Sequence, residues 1–231
     1  MPPSRSGFHS PRHAGFTLVE LVVVIVVLFF LFISIVPIRP AGALQAAKAN
    51  SLLQQGSNLA KALIATDIQG DFKGTIFPGS TPTNTFATST DYFKYAIKEK
   101  WVTGVDYSFF GGAGATPAKT LDASRFNGEN NVWSVVMDTT TAKHDQTPLL
   151  ISRNLVLPGN RLPDGTLGEK GENLQALLKR TPDRLLSFSR QYLVVITKSA
   201  SGNAVYLAKD LGPGKAHLLN PTANRLPVLR P

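Results

Sequence analysis

Among the side chains that could do chemistry, Glu20 stands in the least expected place. It lies inside Phe16–Val36, a stretch otherwise apolar except for Thr17 and Ser34. A carboxylate at the centre of a bilayer costs at least about 2.5–3.5 kcal/mol, so an acid in such a segment marks function by default. The chemistry open to it is charge pairing with a cation in a low dielectric, where pairing matters most. Other reactive groups are sparse. Asp122, Asn127, Glu129 and Asn130 could offer oxygen ligands to calcium, but their spacing matches no EF-hand loop and suits a solvated loop better. His144 and His217 stand apart from any metal-ligand spacing and read as surface residues, while His9 and His13 precede the apolar run. Gly112–Thr120 echoes a phosphate loop. However, Ala118 replaces the Gly expected before Lys119, Pro117 intrudes and no apolar strand leads in, so a flexible surface loop is the better reading. No Gly-x-Ser-x-Gly elbow is present. With no cysteine, the chain can form no disulfide, no thiolate metal site and no thiol nucleophile.

The elements that must position these groups begin with Phe16–Val36. As a helix it is roughly 31 Å long, close to the thickness of a hydrocarbon core. Its Val and Ile content would favour a strand in water. A lone strand in lipid leaves its backbone unpaired, so the helix prevails. The Thr17 and Ser34 hydroxyls can bond back to the helix backbone. Pro37 sits where the apolar run ends and would kink or stop the helix. Ahead of the run the only charged residues are Arg5 and Arg12, which favours a cytoplasmic N-terminus. Beyond Pro40, residues Ala49, Leu52, Leu53, Gly56, Leu59, Ala60, Leu63 and Ile64 recur at three- and four-residue spacing. They predict an amphipathic helix from about Ala41 to Ile68, stopped near Gly70.

The rest of the chain reads as mixed. Residues 77–84 form a loop by their breakers. Ser89 or Thr90 caps a short helix reaching Trp101. Strands are expected at Val132–Met137, Leu149–Val156, Tyr192–Thr197 and Ala204–Leu207, the last two as a hairpin. A further short helix is expected at Glu172–Lys179, a possible new helix start at Thr181-Pro182-Asp183, and an irregular tail from Gly212. No internal repeat is visible. The net charge of +9 comes from Lys and Arg scattered singly, with no basic run interleaved with aromatics, so nucleic acid is not indicated.

The string Gly15-Phe16-Thr17-Leu18-Val19-Glu20, preceded by a short basic leader and followed by the apolar run, resembles the class III signal of type IV pilins and type II secretion pseudopilins. The resemblance implies cleavage between Gly15 and Phe16 by a prepilin peptidase, N-methylation at Phe16 by the same enzyme, an assembly role for Glu20 and a helix kink at Pro37. It implies the partners as well: the prepilin peptidase, other pilin or pseudopilin subunits and an inner-membrane assembly platform. Val27–Phe32 departs from the family in lacking the Gly and Ala often found there, which bears on how closely helices approach. In such a bundle the methylated, still protonated amine of Phe16 on one subunit can sit beside Glu20 of its neighbour. The acid would otherwise merely snorkel to the interface.

The fold class expected is α+β and pilin-like, a long N-terminal helix packed on an antiparallel β-sheet domain. Its parts are a leader (1–15), a transmembrane helix (16–36), an amphipathic continuation of that helix (37–70) and a periplasmic domain (71–231). The protein would be a single-pass inner-membrane subunit of a secretion or pilus-type filament, not an enzyme, with no cofactor beyond the calcium alternative. A retained Glu20 argues against the tip pseudopilin that lacks this acid, and the absence of cysteine leans towards secretion. Two rivals stand beside it. One is a tethered or secreted periplasmic binding domain or enzyme. The other is conventional signal cleavage at Ala41-Gly42-Ala43, leaving Leu44 first, against which the length of the apolar run and Glu20 both count.

Overall fold

The computed structural model describes residues 17–35, 40–70, 76–81, 85–113, 116–118, 122–139, 146–180, 186, 188, 190–198 and 203–231. Two compact units emerge, one ending at Pro40 and one running from Ala41 to Pro231. The first holds α1, Leu18–Ile35. Its described side chains, through Leu31, are all exposed. Among the described residues, no helix is long and apolar enough to cross a membrane. The 18 residues of α1 make about 27 Å of helix, against the roughly 20 consecutive apolar residues that a hydrocarbon core asks for. Phe16, Val36 and Pro37, which the sequence reading needs for the full span and its kink, lie outside the described residues.

Helix α2, Pro40–Gln69, supplies the start of the second unit from Ala41 on and lies close to the expected amphipathic helix. Gly70 follows it, and its N–H closes the last turn on the Thr66 carbonyl. Ala49, Leu52, Leu59, Ala60 and Leu63 of the stripe are buried. The short helix α3 is Ser89–Lys98, and its cap is Thr88 rather than the expected Ser89 or Thr90. Thr88 accepts from the Asp91 N–H, while the Ser89 hydroxyl is spent on the Trp133 carbonyl at 2.7 Å. The helix also stops short of Trp101. Lys100 takes a positive φ of 58°, and the N–H groups of Lys100 and Trp101 turn back to the carbonyls of Ile97 and Ala96 in a Schellman motif.

The sheet is built from β1 (Trp133–Val136), β2 (Pro148–Ser152), β3 (Tyr192–Thr197), β4 (Ala204–Leu207) and β5 (Val228–Leu229). Between β2 and β3 the chain forms α4, Leu174–Arg180. The strand order is β4-β3-β2-β1-β5, every pair antiparallel. Strands β3 and β4 match the expected hairpin end for end, and β1 and β2 lie inside or near their expected windows. β5 corrects the reading of the tail as irregular: Val228 and Leu229 pair with Val136 and Val135. Two residues behind Pro227 carry too little periodicity to be seen as a strand, and pairing on β1 makes them one.

Alternation along the strands feeds two cores. Trp133, Val135, Leu150, Val194, Ile196 and Leu229 point to the side of α2 and α3, where Phe93, Phe110 and Phe126 complete an aromatic-rich core. Val136, Ile151, Leu193, Val195 and Val228 point to the opposite side, against Leu174, Leu178, Leu211, Leu219 and Leu226. The sheet is therefore covered on both faces, by helices on one and by α4 with irregular chain on the other. A register shift between Pro148 and Leu150 accounts for Leu149 and Leu150 both facing the first core.

Candidate functional site

The described part of the N-terminal site is the first turn of α1. Thr17 precedes Leu18 as the cap, and Glu20 is the third helical residue. The Thr17 N–H and the Thr17 hydroxyl each donate to Glu20 Oε2 at 2.9 Å. In return the Glu20 N–H donates to Thr17 Oγ1 at 3.3 Å. This is the reciprocal capping box: two orphan N–H groups of the helix start are satisfied, and a negative charge lies where the helix dipole favours one. The Leu21 N–H then closes the first backbone bond onto the Thr17 carbonyl. Both bonds that the carboxylate accepts from Thr17 fall on Oε2, and the Glu20 side chain is exposed. Neither bond involves a residue before Thr17, so a cut between Gly15 and Phe16 leaves the box intact.

The sequence reading gave Thr17 only a bond back to the backbone within a helix. The structure gives it a forward bond to Glu20 as well. The signal was there to read, since Thr followed three residues later by Glu ahead of an apolar run is the capping-box pattern. Gly15, Phe16 and Pro37, the expected processing and kink residues, lie outside the described residues.

The remaining candidates are placed as follows. Asp122 starts a 3-10 turn over Ala123–Arg125 and takes both the N–H and the hydroxyl of Ser124, at 2.9 and 2.7 Å. Those two bonds hold its carboxyl below the usual carboxylate range, and Arg125 lies 3.9 Å away. Asn127 Oδ1 accepts from the Glu129 N–H and Asn130 Oδ1 from the Asn127 N–H, while Asn130 Nδ2 donates to the Thr116 carbonyl. The side-chain oxygens of Asp122, Asn127 and Asn130 thus tie local turns, and no group of three or more His, Cys, Asp or Glu side chains that could hold a metal converges among the described residues. His217 is exposed, with Nδ1 3.0 Å from the Gly214 carbonyl, and His144 lies outside the described residues. Of the loop that echoes a phosphate site, residues 112–113 and 116–118 are described, and they form no helix start that could cradle a phosphate. An open cleft of about 430 Å³ beside Gly104–Phe109 holds one ionisable group, Asp106, which caps Ser108. The Ser108 hydroxyl donates to the same carboxylate, as in an ordinary Asx-type turn.

Residues 10–36 match the family model of the prokaryotic N-terminal methylation motif. The chain carries a prepilin-type signal. That signal is the one found on type IV pilins and pseudopilins, and it implies processing by a prepilin peptidase and assembly with other pilin subunits. It covers the capping box and all of α1, but stops before α2. No curated protein and no solved structure matches the chain. The prepilin-type signal points to a structural subunit and is consistent with membrane anchoring and filament assembly. The α+β architecture, with an antiparallel sheet beside a long helix, is compatible with a pilin-like fold.

Proposed function

We propose that this protein is a pilin-like structural subunit of a type II secretion or type IV pilus-type filament, cut between Gly15 and Phe16 and methylated on the Phe16 nitrogen. The observation that carries the reading is the prepilin-type signal laid over an exposed apolar helix whose single acid is fixed at its first turn. The segment Phe16–Val36 anchors the subunit in the inner membrane, with the leader in the cytoplasm and the domain from Ala41 onwards in the periplasm. Residues 37–70 continue the N-terminal helix into the domain, and Pro37 marks the join. In the filament, apolar helices like α1 bury one another's exposed faces, and the carboxylate of Glu20 meets the protonated methylamine of a neighbour's Phe16. Each charge gains a partner where an unpaired one is costly. Because Thr17 already holds the carboxylate, less freedom is lost when that partner arrives.

The test is intact-mass and N-terminal peptide analysis of the protein extracted from membranes. A chain beginning at N-methylated Phe16 is the expected result. A chain beginning at Leu44 would identify conventional secretion, and an uncut N-terminus in a host with the peptidase would identify a plain anchor. Either would overturn the reading.

A further inference from the structure

One end of the β3–β4 hairpin, opposite its loop, carries a cleft of about 270 Å³. It is lined by Gln175 and Lys179 of α4, Arg190 and Gln191 ahead of β3, Tyr192 at its start, and Lys209 just past β4. Three cations from three separate stretches of chain share this cleft, and among the described residues none that line it is acidic. Lys179 by itself has a local explanation, since a cation in the last turn of a helix offsets the helix dipole. Arg190 has none, since it belongs to no helix, and Lys209 sits only in a three-residue 3-10 turn; both are exposed. The frame beneath them is fixed. Tyr192 pairs with Leu207 across the hairpin, the Ala208 N–H donates to the Gln191 carbonyl at 2.7 Å, and the Gln175 N–H donates to the Leu211 carbonyl at 2.8 Å. Like charges held together on a rigid frame cost stability unless something anionic joins them.

We propose that this cleft binds an acidic sugar unit, a ring bearing a carboxylate. The cations supply charge-assisted bonds to the acid, Arg190 in the forked geometry that suits a carboxylate. The side-chain amides of Gln175 and Gln191 supply both donors and acceptors, which is what a ring of hydroxyls requires and a bare anion does not. The volume lies just under the roughly 300 Å³ at which ligand pockets begin, which suits one ring and its substituents rather than a longer segment. The site would give a surface-exposed domain a hold on an acidic polysaccharide. It does not rest on the filament reading.

The experiment uses the full chain in nonionic detergent, titrated with tetragalacturonate, maltotetraose, an oligothymidylate of matched charge and inorganic phosphate. Tetragalacturonate is expected to bind, and Lys179→Gln/Arg190→Gln/Lys209→Gln is expected to weaken it at least about tenfold. A control triple, Lys48→Gln/Lys61→Gln/Lys94→Gln, removes the same charge elsewhere and should stay within about twofold. Gln175→Ala/Gln191→Ala should weaken tetragalacturonate while leaving phosphate unchanged. The proposal is overturned if the control triple weakens binding as much, if maltotetraose binds as well, or if the oligothymidylate or phosphate binds as tightly. It is also overturned if tetragalacturonate does not bind. Lys61, Lys179, Arg190 and Lys209 are exposed and Lys48 and Lys94 half-buried, so unchanged thermal unfolding of each triple confirms that binding rather than folding is being read.

Discussion

Thr17 and Glu20 complete each other before any second subunit is present, which separates two roles of the acid. One, seen in the structure, is to start α1, and the other, proposed above, is to meet a charge from outside. Glu20→Ala removes both. The variant should still be cut, because the cleavage point lies outside the box, but it should enter filaments poorly. Normal incorporation would end the assembly role. Thr17→Val is the finer probe. It keeps the backbone N–H bond to Oε2 but loses both bonds of the hydroxyl, and losing a helix cap costs about 0.5–2 kcal/mol. Filament yield, measured as the sheared fraction, should fall severalfold for Thr17→Val and stay near normal for Thr17→Ser, which restores the hydroxyl. Equal yields would mean the acid needs no positioning. At this scale the acid in an apolar run was legible, and the Thr-x-x-Glu start, though a local pattern, is passed over when Thr17 is read only as a hydroxyl bonding back to its own helix. The bonds tying up Asp122, Asn127 and Asn130 were less legible, since a loop of oxygens looks the same whether it serves a metal or its own backbone.

At the scale of elements, α2 shows what periodicity can and cannot reveal. The stripe predicted the helix and its inward face, but not how near the sheet would come. At Gly56 an added Cβ would lie 2.5 Å from the Trp133 ring and 2.8 Å from Ile196 Cγ1, so the helix crosses β1 and β3 with no room for a side chain. Gly56→Ala therefore sets two effects against each other. In an open helix the change would stabilise by about 1 kcal/mol through propensity. Here the overpacking should cost about 1–3 kcal/mol and lower the unfolding temperature by several degrees. Thermal unfolding decides the sign, and a raised midpoint would place α2 away from the sheet. The start of α3 was misread for a related reason. Ser89, Thr90 and Thr88 are all good caps by type, and the choice fell to Thr88 because Asn131 claims the other two. Its Nδ2 donates to Ser89 Oγ at 3.0 Å and to Thr90 Oγ1 at 3.2 Å, and its Oδ1 accepts from the Trp133 N–H. A contact more than forty residues distant leaves no trace in a local window.

The whole domain is held together by the part of the sequence that looked least structured. The tail returns to the sheet, where β5 covers the edge of β1, Leu229 enters the core under α2 and Val228 enters the core on the opposite face. The Ser89 N–H, at the start of α3, donates to the Arg230 carbonyl at 2.8 Å, and the Met137 N–H donates to the Pro227 carbonyl at 2.8 Å. Five C-terminal residues thus touch both layers, and β5 closes the sheet edge opposite β4. Removing residues 227–231 should cost far more than the trimming of an exposed end. Two buried aliphatic side chains are worth about 1.5–3 kcal/mol each, and the uncovered β1 edge becomes a template for pairing with other chains. The truncated protein should unfold at a markedly lower denaturant midpoint and self-associate on concentration, which scattering would detect. Val228→Asp should lower the midpoint similarly while keeping the edge paired, so it should stay monomeric in the same detergent. If truncation leaves both midpoint and association unchanged, β5 is not part of the stable sheet, and the second core must draw its stability from α4 and the leucines around it.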